Sequence, residues 1–289
     1  MFLRFTVLFA GASALWAAPV PPFTLKTVDR APVTRPLARV GRPTEFWMGP
    51  ISEVERAPKM LKPGVMRAGV HRLGGDEFLG RGKWSELPDG RAVFQAALRS
   101  PGATGLRLEF VNFAAGAGRV WLYPGDEPNP TLPVGPYEGG EDVWSGLVEG
   151  ESVVLEFEAA AGAPRMLPFQ LGRISHISAN VGTASAPRAA ALNCNLDVTC
   201  YPEWAERARG VARYLFETNG GGALCSGALV NTRNNSGIPY FLTADHCISN
   251  NTEARSVQAF WSYQSSVCNG APRSLRDVPT TSGATYLAG

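Results

Sequence analysis

Tyr240-Phe241-Leu242-Thr243-Ala244-Asp245-His246-Cys247 is the stretch on which the reading of this chain turns. Three residues of strand character lead into a Thr-Ala break, and a histidine and a cysteine follow. Taken alone, a histidine is most often an ordinary surface or core residue. At the end of a rigid strand, at the mouth of a cleft, one ring nitrogen can face a nucleophile while the other faces an orienting carboxylate. The adjacent cysteine can tie such a loop to a neighbouring strand. Gly222-Ala223-Leu224-Cys225-Ser226-Gly227-Ala228-Leu229-Val230, small and apolar, has the character of that neighbour.

Further ordered signals flank the octet. Asn193-Cys194-Asn195-Leu196-Asp197-Val198-Thr199-Cys200 opens the region, and Trp204 to Tyr214 is a short amphipathic piece. The Cys225 run and the octet follow, then Phe260-Trp261-Ser262-Tyr263-Gln264-Ser265-Ser266-Val267-Cys268. In this order, residues 193–289 resemble the start of a mature lysyl endopeptidase-like protease, a bacterial branch of the chymotrypsin fold. The resemblance implies an all-β chain whose C-terminal part is an incomplete chymotrypsin-like β-barrel, with His246 as the general base of a serine endopeptidase. It also implies that Cys225 pairs with Cys247 and Cys200 with Cys268. Cys194 would then have its partner further downstream and stay unpaired within this chain. Asp245 departs from the family pattern, in which a small residue commonly precedes the histidine, and adds a charge beside the base.

All five cysteines fall between Cys194 and Cys268, which after a signal sequence argues for disulfides formed in an oxidising compartment. A zinc site is disfavoured, because there is no Cys-x2-Cys pair and His246 and Cys247 are too close in sequence to be two good tetrahedral ligands. No metal and no cofactor is expected. A triad also needs an acid and a serine. After His246 the acids are Glu253 and Asp277, and neither precedes an apolar strand-like run; no later serine lies in a Gly-Asp-Ser-Gly-like elbow. Ser282, in Thr280-Thr281-Ser282-Gly283-Ala284, comes too soon after the histidine and reads as a loop serine. The expectation is a protease precursor that ends before its acid and nucleophile, inert as it stands.

Met1-Phe2-Leu3-Arg4, the apolar run to Leu15 and the small residues to Ala18 read as a signal peptide over 1–18. Residues 19–67 are a proline-rich lead-in. From 68 to 177 short alternating strands such as Gly105-Leu106-Arg107-Leu108-Glu109-Phe110 are separated by turns such as Pro88-Asp89-Gly90. That spacing predicts an antiparallel β-sandwich, and Gly172-Arg173-Ile174-Ser175-His176 and its companions resemble the propeptide module that precedes such proteases. His71 and His176 lack converging acids or histidines and read as structural or surface residues. Trp121, Tyr123 and Phe157 read as packing across the sandwich in preference to a carbohydrate groove. Residues 178–192, small and rich in alanine, form a protease-sensitive linker in which we place the activation cut.

A net charge of +2 with 18% charged residues gives no field that recruits nucleic acid or an acidic membrane. Asn219-Gly220-Gly221-Gly222 follows a piece read as helical and precedes a strand, an order that suits a turn and not a phosphate. Two readings follow. The first is a secreted serine endopeptidase precursor acting on protein or peptide substrates, with the sandwich as an intramolecular propeptide and lysine specificity left unassigned. The second is a non-catalytic secreted binding or adhesion protein carrying a relic protease segment.

Overall fold

The computed structural model describes residues 35–38, 43–57, 59–179, 181 and 196–287. The expected signal peptide over 1–18, Cys194 and most of residues 178–192, expected to be a linker, lie outside the described residues. The chain is all-β, with short one-turn helices between strands. In order these are β1 (Glu45–Trp47), β2 (Met60–Lys62), β3 (Val65–Met66), β4 (Gly69–Arg72), β5 (Lys83–Glu86) and β6 (Ala92–Arg99). Next come β7 (Gly105–Val111), β8 (Gly118–Pro124), β9 (Val134–Tyr137), β10 (Val143–Trp144), β11 (Val148–Glu149), β12 (Ser152–Ala159) and β13 (Gln170–Ile177). The last five are β14 (Val211–Thr218), β15 (Gly221–Val230), β16 (Tyr240–Leu242), β17 (Gln258–Trp261) and β18 (Thr280–Ser282).

Two sheets face each other in the N-terminal part. One runs β1-β6-β12-β8-β9, with β5 also on β6; the other runs β10-β7-β13-β4, with β11 on β7. Period-2 alternation puts Phe94, Ala96 and Leu98 of β6, Leu106, Leu108 and Phe110 of β7, and Val153, Leu155 and Phe157 of β12 into one core. Phe110 and Phe169 meet edge to face at 5.2 Å. Burying each such side chain contributes roughly 1.5–3 kcal/mol, so this core holds the sandwich without a disulfide. Pairing begins at Glu45, where β1 runs parallel to β6.

The C-terminal part is one curled sheet, β16-β15-β14-β17-β18, whose inner face carries Tyr214, Phe216, Ala223, Ala259 and Trp261. The tight β14–β15 hairpin turns through Asn219-Gly220, with Thr218 paired to Gly221. The segment directly before the glycines is therefore strand and not the expected helical piece, which is confined to Ala205–Ala208. Gly221 has φ +128°, and a Cβ there would fall 2.2 Å from the Gly69 carbonyl oxygen, so only glycine fits where the two parts touch. At that contact Ala68 N–H donates to Gly222 O at 2.6 Å and Arg67 bridges Ala223, which carries the β4 strand line onto β15.

Candidate active site

β16 delivers the histidine. Leu229 pairs with Phe241 and Ala228 with Leu242, and the chain then turns at Thr243-Ala244. Cys247 N–H donates to Ala244 O at 2.9 Å, closing a tight turn that carries His246 at its centre. Thr243 fixes the entrance: its hydroxyl donates to Ser226 O at 3.0 Å and therefore accepts from the Tyr214 hydroxyl at 2.7 Å. Burial pushes the Tyr214 phenol up to about 12, against the opposing Thr243 bond, so it remains a donor at neutral pH. Phe241 packs edge-on against Tyr214 and Trp261. The exit is fixed by the Cys225–Cys247 disulfide, with Cα atoms 6.4 Å apart, and by buried Ile248.

His246 itself is exposed and hydrogen-bonds to no other described residue. Its ring nitrogen and the sulfurs of Cys225 and Cys247 lie within 4.8 Å of one another. With both sulfurs joined in a disulfide, neither offers the thiolate that a metal would need. The turn between β2 and β3 stands beside the ring: a Cβ built on Gly64 would lie 3.4 Å from His246 Nε2. From the same hairpin, Lys62 Nζ donates to Cys247 O at 3.3 Å and Ser249 Oγ at 3.0 Å, and pairs with Glu253 Oε1 at 2.5 Å.

The other residues singled out in the sequence are dispersed. Ser282 pairs with Gln258 on β18, the edge strand opposite β16 in the sheet order. Glu253 is buried and accepts from Ser249 N–H at 2.9 Å, bracing the loop after the histidine turn. Asp277 ends a one-turn helix, Leu275–Asp277, before β18. Asp245 is exposed beside His246. Cys200 and Cys268 are bonded, with Cα atoms 4.5 Å apart; Cys194 lies outside the described residues. Among the described residues no serine and no carboxylate hydrogen-bonds to His246.

A buried polar cluster between the sandwich and the curled sheet escaped sequence reasoning. Arg107 on β7 is 1% exposed, and its guanidinium donates to Ser145 O at 2.7 Å, Glu217 Oε1 at 3.0 Å and Ser256 O at 2.8 Å. Glu217 Oε2 accepts from Ser175 Oγ at 3.0 Å and meets His71 Nε2 at 2.9 Å. His71 stacks on Trp144 with ring centroids 5.4 Å apart. His176, by contrast, is sealed inside the sandwich, with Nδ1 at 2.7 Å from Ser100 Oγ. The signal for Arg107 and Glu217 was a charge at an alternate position of each strand, which reads equally well as a wet face.

Residues 189–289 match the family described as lysyl endopeptidase, C-terminal domain. A curated relative, the lysyl endopeptidase of Pseudomonas aeruginosa, is 26% identical over 321 aligned residues, taking in 97% of this chain and 68% of that protein.

Proposed function

We propose, from the premise that this chain is lysyl endopeptidase-like, that it is a secreted serine endopeptidase precursor with His246 as the general base. The observation that carries the proposal is the placement of that ring. It projects from a turn fixed by the Tyr214–Thr243–Ser226 bonds on one side and the Cys225–Cys247 disulfide on the other. A base so held loses little freedom on catalysis, which is what proton transfer at a fixed atom requires.

In the reaction, a serine hydroxyl attacks the peptide carbonyl and gives its proton to His246. The tetrahedral adduct collapses, the C–N bond breaks, and His246 returns the proton to the leaving amine, leaving an acyl-enzyme. Water then attacks the ester by the same proton route. The serine and the orienting acid are not supplied at His246 by the described residues, so the test belongs on the product of the complete reading frame. The N-terminal sandwich would act as the propeptide, with maturation by a cut within 178–192 and export directed by residues 1–18. Among the described residues no helix is long and apolar enough to cross a membrane.

The complete product, once matured, should hydrolyse peptide bonds, read on a mixed peptide library. His246→Ala should lower kcat by at least about 10⁴-fold, as loss of a triad member does. Peptidase activity retained by His246→Ala would remove the histidine from the mechanism. A search among library peptides would assign the residue preferred before the cut bond.

A further inference from the structure

Lys62-Pro63-Gly64-Val65 form the turn between β2 and β3, with Lys62 paired to Val65. Proline at its second position and glycine at its third, with φ +80°, is the chemistry of a type II turn. This hairpin belongs to neither sheet of the sandwich; its ladder is its own. Its side chains are committed elsewhere. Val65 is 1% exposed and packs with Tyr214, Cys247 and Ile248, and Leu61 packs against the same cluster. Lys62 spans the backbone after the histidine and ends on buried Glu253. The base of the hairpin is tied back by Arg67, which donates to Glu55 O and Ala57 O at 2.5 and 2.8 Å.

We propose that residues 60–66 are an intramolecular inhibitory plug for His246, latched by the Lys62–Glu253 ion pair. This rests on the reading of His246 as a general base. In a Ser-His-Asp triad the ε nitrogen exchanges the proton with the serine, and Nε2 is the ring atom nearest to a Cβ built on Gly64. The plug fills space against the working nitrogen, on a histidine otherwise exposed. A tight turn offers no extended strand of the kind that adds to a sheet edge for cleavage, so the hairpin sits there as an obstacle and not as a substrate. The hairpin lies N-terminal to 178–192, so a cut in that segment makes the plug separable from the base it covers.

Two measurements test this. Amide hydrogen exchange on the 289-residue chain reads the hairpin directly. Lys62→Glu, which places a carboxylate against Glu253, should speed exchange over 59–67 by about tenfold. Gly64→Val, strained at positive φ and crowded by the ring, should do the same. In the complete reading frame, the same variants should raise peptidase activity of the product still intact at 178–192 by about tenfold, with activity after maturation unchanged. Unchanged exchange in both variants would overturn the latch. Faster exchange with no gain in activity before maturation would overturn the plug. A matured wild-type product with no activity would overturn the peptidase reading, and the plug with it.

Discussion

Three histidines in one chain hold three different positions, and their surroundings decide what each can do. His246 is exposed on a braced turn, His71 is clamped between Glu217 and Trp144, and His176 is sealed. Ser100 Oγ accepts from Arg72 Nη1 at 2.9 Å and so gives its own proton to His176 Nδ1, which leaves the ring proton on Nε2. That Nε2 has no partner among the described residues. Burial, helped by Arg72 and Arg56 and opposed by Glu151 and Glu55, lowers the imidazole from 6.5 to about 4. The unfolded chain therefore binds a proton between these values that the folded chain refuses. Stability is full above about pH 6.5 and falls as the pH drops towards 4, by roughly 3 kcal/mol at the lower limit. Urea unfolding at pH 7 and pH 4.5 should show this loss, and His176→Gln should flatten it; an equally steep loss in the variant would place the titration elsewhere. Sequence marked His246 because a catalytic base needs a strand end, a turn and a staple in order, and those leave letters. His176 left no such mark, because the burial that sets it comes from strands distant in sequence.

Strands were legible where residue types alternate between turns, although both faces of β6, β7 and β12 prove to be covered. β6, β7, β8 and β12 followed from alternation and flanking turns. In β7 the same alternation placed Arg107 and Glu109 on one face, which a two-layer sandwich would leave to solvent. Instead Arg107 lies under the curled sheet, fully enclosed. The β2–β3 hairpin was unreadable for another reason: strands of two and three residues are too short to show any period. Around the curled sheet, disulfides tie down the loops that flank its strands. Cys225–Cys247 closes 22 residues and Cys200–Cys268 closes 68. On the chain-entropy argument, replacing either pair by alanine should cost roughly 3–4 kcal/mol in denaturant unfolding. Removing Cys225–Cys247 should also release the histidine turn, seen as faster amide exchange over 243–248. Exchange there that does not change would mean Thr243 and Tyr214 suffice to hold it.

As a whole the molecule is a sandwich and a curled sheet joined across buried charge. The Arg107–Glu217 pair with His71, Ser175 and Ser256 is supplemented at the rim by Arg276, which bonds Glu127 and Glu149 at 2.6 and 2.7 Å. Gln258 adds a bond from Leu147 N–H at 2.7 Å. We therefore expect the two fragments left by a cut within 178–192 to co-elute on size exclusion at first, so that maturation takes removal of the N-terminal fragment as well as the cut. Glu217→Ala, which strands a buried guanidinium, should cost about 3–5 kcal/mol and let them part. Fragments that separate in the wild type would show that covalent continuity alone holds the assembly. Everything functional still rests on one ring. The most direct measurement is labelling of the complete reading-frame product by a serine-directed fluorophosphonate, followed by mass spectrometry. The expected result is one labelled serine in the matured protein, with labelling slowed at least about 10³-fold in His246→Ala; labelling at the same rate without the imidazole, or none at all in the wild type, would contradict the assignment of His246 as the base of a serine endopeptidase.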